Sequence, residues 1–195
     1  MKNDTLMTRR SLIATGMSAT LVACAPLGAP NPLPRDLRRS LRLADITVIT
    51  EGASFQNTRA ADRASTLGPD LRQYLRREFS ERLAPEGVTL QAEVSRLNVA
   101  SGTATAFGRD QSRLQGTVRI IDTDGALLAS YPVLAVAGSP RETRGGALAG
   151  AAVNSAGGYY RDLLDRFARD TREAVLGAYL PGERTARQVG RMVSE

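Results

Sequence analysis

The sequence has no histidine, no tryptophan, one cysteine, and a single lysine, Lys2, among 26 basic residues. Without histidine, the side chain that most often serves as general base and metal ligand is missing. The lone cysteine, Cys24, allows no intrachain disulfide, and no thiolate or imidazole metal site can be assembled. Neither a Ser-His-Asp nor a Cys-His arrangement is available. Carboxylates, tyrosine and arginine are what is left for acid-base work. The composition therefore speaks for a non-enzymatic protein with no cofactor and no metal, and a carboxylate-based enzyme is the minor alternative. Also lacking is a long apolar run. The longest near the start, residues 11–23, is diluted by Gly16, Ser18 and Thr20 and falls short of the roughly 20 residues that a spanning helix needs.

What the N-terminal stretch does contain is a basic start, a short apolar core and small residues leading to the cysteine: M-T-R-R-S-L-I-A-T-G-M-S-A-T-L-V-A-C over residues 7–24. Its end, Leu21-Val22-Ala23-Cys24, resembles the lipobox of bacterial lipoproteins. That resemblance implies a signal peptide over residues 1–23, cleavage between Ala23 and Cys24, and a diacylglycerol joined to the Cys24 thiol. Thr8-Arg9-Arg10-Ser11-Leu12-Ile13 is similar to the twin-arginine export motif, with Arg9 and Arg10 as the pair and leucine where phenylalanine is more usual. The general secretory route is the alternative. An ordinary buried helix fits less well, because the run ends at Ala25-Pro26 and shows no amphipathic period.

Removal of that signal leaves roughly 170 residues, enough for one domain with a real core. The formal charge of the whole chain is +6, and the mature part stays basic. All its positive charge is arginine, as a GC-rich genome's codon usage would give. Export argues against nucleic acid as the partner. Residues 24–40, with A-P-L-G-A-P-N-P-L-P followed by R-D-L-R-R-S-L-R across the boundary, read as a lipidated, Pro/Arg-rich tether. Its arginines lie close enough to the membrane to act on orientation. The domain is expected over 41–182 and a polar tail over 183–195.

Within that domain, residues 41–50 are rich in β-branched side chains and predict a first strand, with a phase slip near Asp45 and core positions Leu43, Ile46 and Val48. A polar stretch with Phe55 as its one large apolar residue leads to Gly68-Pro69-Asp70, which opens a helix carrying Leu71, Tyr74, Leu75, Phe79 and Leu83 on one face. Residues 88–95 alternate as a strand with one buried side, and the phase change at Arg96 predicts a bulge. Leu114, Gly116, Val118 and Ile120 form the inward set of the next strand. Asp122-Thr123-Asp124-Gly125 reads as the turn of a hairpin whose return strand carries Pro132, a sign of an edge or a bulge. Asp122 and Asp124 are the most tempting carboxylate pair, but hairpin turns favour aspartate for local hydrogen bonding. Gly145 to Gly150 is glycine-rich, yet no lysine follows and the P-loop pattern fails. Residues 159–179 predict the strongest helix, with Tyr160, Leu163, Leu164, Phe167, Ala168, Thr171 and Val175 on its buried stripe, Arg172 among the polar remainder, and Pro181-Gly182 as its stop.

The order β-α-β-β-β-α predicts an α+β two-layer sandwich: about four strands, mainly antiparallel, with both amphipathic helices on one face. With the lipobox, this order and the D-T-D-G hairpin, the chain resembles small envelope lipoproteins of proteobacteria, among them the auxiliary lipoproteins of ABC-type lipid transport systems. The resemblance implies a membrane-anchored, periplasm-facing accessory or assembly subunit whose partners are the membrane, through Cys24, and another envelope protein. Ala25 after the cysteine, instead of the aspartate associated with inner-membrane retention, points to the outer membrane. Binding of a lipid or small ligand between helices and sheet is the alternative. Segments 100–113 and 138–158 are candidate contact loops.

Overall fold

The computed structural model describes residues 31–101, 111–137 and 156–178. Arg9, Arg10, Ala23, Cys24, the Gly145–Gly150 stretch, Pro181-Gly182 and the tail lie outside the described residues. The elements are α1 (Arg35–Ser40), β1 (Leu43–Ile49), β2 (Ser54–Phe55), α2 (Thr58–Ala61), α3 (Leu67–Glu78), a 3-10 turn (Ser80–Arg82), β3 (Val88–Asn98), β4 (Ser112–Ile121), β5 (Leu127–Ala137) and α4 (Ala156–Leu176). The α+β two-layer sandwich is present, and its sheet is mixed. β1 lies parallel to β3, while β3, β4 and β5 run antiparallel in the order β1-β3-β4-β5, with the two-residue β2 also parallel to β3. Parallel β1 and β3 need a crossover connection, and α3 supplies it.

Both expected phase slips are real. The β1–β3 register shifts between Leu43 and Asp45, and the β3–β4 register shifts between Val94 and Arg96, leaving Ser95 as the extra residue, its hydroxyl donating to the Gln115 carbonyl. On the helix side the sheet presents Leu43, Ile46, Leu90, Ala92, Val94, Leu97, Leu114, Val118 and Ile120, all buried, while Val48 is half-buried at the edge. Gly116 sits in the middle of this surface because there is no room for a side chain. A Cβ there would lie 2.5 Å from the Glu93 carbonyl oxygen and 3.3 Å from the tip of the Phe167 ring. That gap in the sheet is what lets the tip of the fully buried Phe167 of α4 approach the backbone there.

The helices pack side by side and run in the same direction. The Tyr160 hydroxyl donates to Asp70 Oδ2 at 2.9 Å near their starts, Arg77 in the last turn of α3 meets Asp165 midway along α4 at 3.3 Å, and Arg172 Nε lies 3.9 Å from Glu78 Oε1 near their ends. Burial, and secondarily the bond to Asp70, pushes the Tyr160 hydroxyl well above its ordinary range. It is therefore a donor at every physiological pH. The last pair corrects the sequence reading of Arg172 as a polar-face residue: Arg172 is 8% exposed and Glu78 2%. A buried charge is held only with a partner, and this one comes from the other helix. A second correction concerns the end of α4. Gly177 takes φ +98 and stops the helix after Leu176, ahead of Pro181-Gly182, because glycine alone enters that conformation without cost to a Cβ.

A third correction concerns the tether. Residues 31–40 are part of the domain. Leu33 and Leu41 are buried in the core, Leu37 packs against it, and Asn31 is fixed from both sides. Its Nδ2 donates to the Ala174 carbonyl at 2.6 Å, and its Oδ1 accepts from the Leu33 N–H at 2.9 Å and the Tyr131 hydroxyl at 2.8 Å. Prolines 32 and 34 had suggested a free extended segment, but leucines spaced by four give the stretch an apolar side that the end of α4 and β5 cover.

Candidate interaction surfaces

The topology sorts the molecule into two ends. At one lie α1, the starts of β1, β3 and β5, the β4–β5 turn and the last turn of α4; at the other lie the far ends of those strands, the start of β4, and the starts of α3 and α4. Segments 102–110 and 138–155 leave and return at this second, loop end. Its base is braced by side-chain bonds. Asn57 caps α2 through Oδ1 to the Ala60 N–H, and its Nδ2 donates to Asn98 Oδ1 at 2.7 Å and the Val99 carbonyl at 3.0 Å. Asn98 in turn donates to the Gln111 carbonyl, and the Ser112 hydroxyl accepts from the Ala100 N–H. The sequence marked 100–113 as a connection but gave no sign that its roots are tied by an asparagine from β3 and one forty-one residues earlier.

At the α1 end the helix is two-sided. Leu37 and Leu41 face inward with Arg38, whose Nε is buried without a hydrogen-bond partner. Arg35, Asp36, Arg39, Ser40 and Arg42 are exposed. Arg82 from the 3-10 turn donates to the Arg39 carbonyl at 2.7 Å, satisfying one of the free carbonyls at the end of α1 and tying the helix to the domain. No ion pair to Arg35, Arg39 or Arg42 forms among the described residues.

An open groove of about 910 Å³ runs between β1 and α3, lined among others by Thr47, Thr50, Glu51, Arg72, Gln73 and Arg76. Along it Arg72 Nη2 pairs with Asp45 Oδ1 at 2.8 Å. Partial desolvation works to raise the Asp45 carboxyl, but the Ile46 N–H and Arg72 outweigh it and hold it below the ordinary carboxylate range. A carboxyl lowered on folding adds stability above its unfolded value of about 3.9, and that stability is lost as pH falls through the folded value. Both partners are nearly half exposed, so the pair contributes less than about 1 kcal/mol after screening. Asp45→Asn is accordingly expected to lower the urea midpoint slightly at pH 7, with the difference from wild type shrinking as acidification protonates the folded carboxyl. A difference that grew on acidification would contradict the sign.

The sheet's outer face is mostly polar, with Arg119 bonded to Glu93, but the edge strand β5 leaves Leu134 55% and Leu127 59% exposed. Pro132 sits in the middle of that edge, where the missing N–H costs no ladder bond. In the hairpin turn both aspartates serve their own backbone. Asp122 Oδ1 accepts from the Thr123 N–H at 2.7 Å and Asp124 Oδ1 from the Ala126 N–H at 3.0 Å. No group of three or more His, Cys, Asp or Glu that could hold a metal occurs among the described residues. None of the described helices is long and apolar enough to cross a membrane.

Fold and surface together define an α+β sandwich with a basic, docked N-terminal helix at one end and two long connections at the other. Neither a protein-family model nor a curated protein matches the chain. Among solved structures, a "putative lipoprotein" from Caulobacter crescentus CB15 is 17% identical, covering 73% of this chain and 96% of that one, with a TM-score of 0.37. A likeness that shallow carries no argument about fold or function.

Proposed function

We propose that this protein is a lipid-anchored interaction module of the bacterial envelope, held by acyl chains on Cys24 and offering its loop end to another envelope protein. The observation that carries the reading is the separation of the two ends. The domain begins at Asn31, six residues after the Ala25 position that follows the anchor, and Asn31 is bonded to the last turn of α4, at the opposite end of the sheet from segments 102–110 and 138–155. The eleven residues of β3 place roughly 35 Å between them. A role in binding accords with a composition that offers no histidine and no thiol beyond Cys24. Facing the periplasm from the outer membrane, it would act as an accessory or assembly subunit, as the ABC-transport auxiliary lipoproteins it resembles do.

Affinity purification of the tagged, acylated chain from solubilised native membranes tests this. A stoichiometric envelope protein is the expected companion; a bound lipid or small molecule alone would favour the alternative, ligand binding between helix and sheet, for which the open groove beside Arg72 and Arg76 is the candidate place. The export route has its own test. With Arg9 and Arg10 both changed to lysine, precursor is expected to accumulate, as immunoblotting would show; normal processing would point to the general secretory route.

A further inference from the structure

Resting on the anchored reading, we infer that the exposed side of α1 is a docking surface for anionic lipid headgroups, which holds the domain upright on its membrane. Arg35 and Arg39 are four residues apart and so lie on one side of the helix. Arg42 follows just beyond its end, and all three are exposed. The inward side is fixed by Leu37 and Leu41, and Arg82 bonds the helix end to the domain. The basic surface therefore moves as one body with the sandwich, which a flexible tether could not do. Carboxylates at this end are Asp36 on the same helix, the buried Glu78 at the end of α3, Glu81 in the 3-10 turn, Glu86 in the connection to β3, Asp122 and Asp124 at the β4–β5 turn, and the half-buried Glu173 in the last turn of α4. Asp36 is exposed beside Arg39, three residues on along the helix, and takes back part of the positive charge of this side, while Asp122 and Asp124 are engaged by their own turn.

Two facts select a membrane as the occupant. The covalent chain from Cys24 to Asn31 can reach no farther than roughly 25 Å when fully extended, so α1 cannot leave the neighbourhood of the surface that carries the anchor. Arginine next to anionic headgroups gains about a fivefold preference per residue, and three of them together favour the docked orientation on the order of a hundredfold. Arginine also suits phosphate, because its planar fork matches two phosphate oxygens. Docked this way, α1 lies on the headgroups and the loop end stands a strand's length away.

The test uses the acylated full chain with Arg59→Cys on α2, at the loop end, carrying a donor dye; Cys24 is blocked by its lipid. The protein is reconstituted into vesicles of phosphatidylcholine alone or with phosphatidylglycerol, each containing a headgroup-labelled acceptor. Energy transfer is expected to be lower with phosphatidylglycerol, because the dye is held away from the surface. It should rise to the phosphatidylcholine value in 0.5 M salt or in the Arg35→Gln/Arg39→Gln/Arg42→Gln variant, whose unchanged urea midpoint shows that it folds. Equal transfer in the two lipids, with protein floating on both, would overturn the docking surface while leaving the anchor intact. Protein floating with neither vesicle would overturn the anchor itself and the docking surface with it.

Discussion

Phe167→Ala is expected to cost about 3–5 kcal/mol, the range for losing a fully buried ring. The ring is fully buried on α4 and its tip approaches Gly116, whose missing Cβ leaves room for it against the sheet backbone. Truncation therefore opens a void floored by peptide, and peptide does not collapse into space as a flexible side chain does. Leu163, Leu164 and Val175 hold the helix in place on either side and restrict its settling. A urea titration should show a midpoint drop at constant slope. Phe167→Leu, which keeps more of the volume, should lose much less. A loss under about 1 kcal/mol for the alanine variant would mean that α4 is not clamped to the sheet at this point.

Cys24→Ser should move the protein from the membrane fraction to the soluble fraction and remove its acyl mass. The effect is near all-or-none because serine has no thiolate to take up the diacylglycerol, and each buried CH₂ of the lost chains contributes about 0.8 kcal/mol of membrane affinity. The basic side of α1 would be left to hold the domain by charge alone, and moderate salt should release it. Fractionation unchanged from wild type, in salt, would count against anchoring at this residue.

The core was legible in the sequence because two periods coincide with two layers. Alternation in β3 and β4 and the helical stripes of α3 and α4 named most of the buried positions, and even the two register slips could be read from broken alternation at Asp45 and Arg96. Three features were hidden for definite reasons. Leu33, Leu37 and Leu41 repeat at helical spacing, but prolines and arginines between them masked a helix of barely two turns whose stability comes from docking. Arg172 looked solvent-facing because its partner, Glu78, sits almost a hundred residues away in another helix. The parallel pairing of β1 with β3 depends on how the intervening helix lies, which neither strand's pattern encodes. Of the candidate surfaces, the basic composition of α1 was plain, but not its rigid attachment. The groove beside Arg72 and the exposed edge at Leu134 emerge only when β1 and β5 are known to be the two edge strands.

Hydrocarbon carried by the Cys24 sulfur is what would hold the domain at the membrane, and intact-mass measurement of the mature protein from its native host tests this most directly. The expected result is a chain starting at Cys24 with the added mass of a diacylglyceryl group and, on its amine, a further acyl chain. A mature chain with an unmodified thiol at Cys24, or one cut elsewhere, would contradict it.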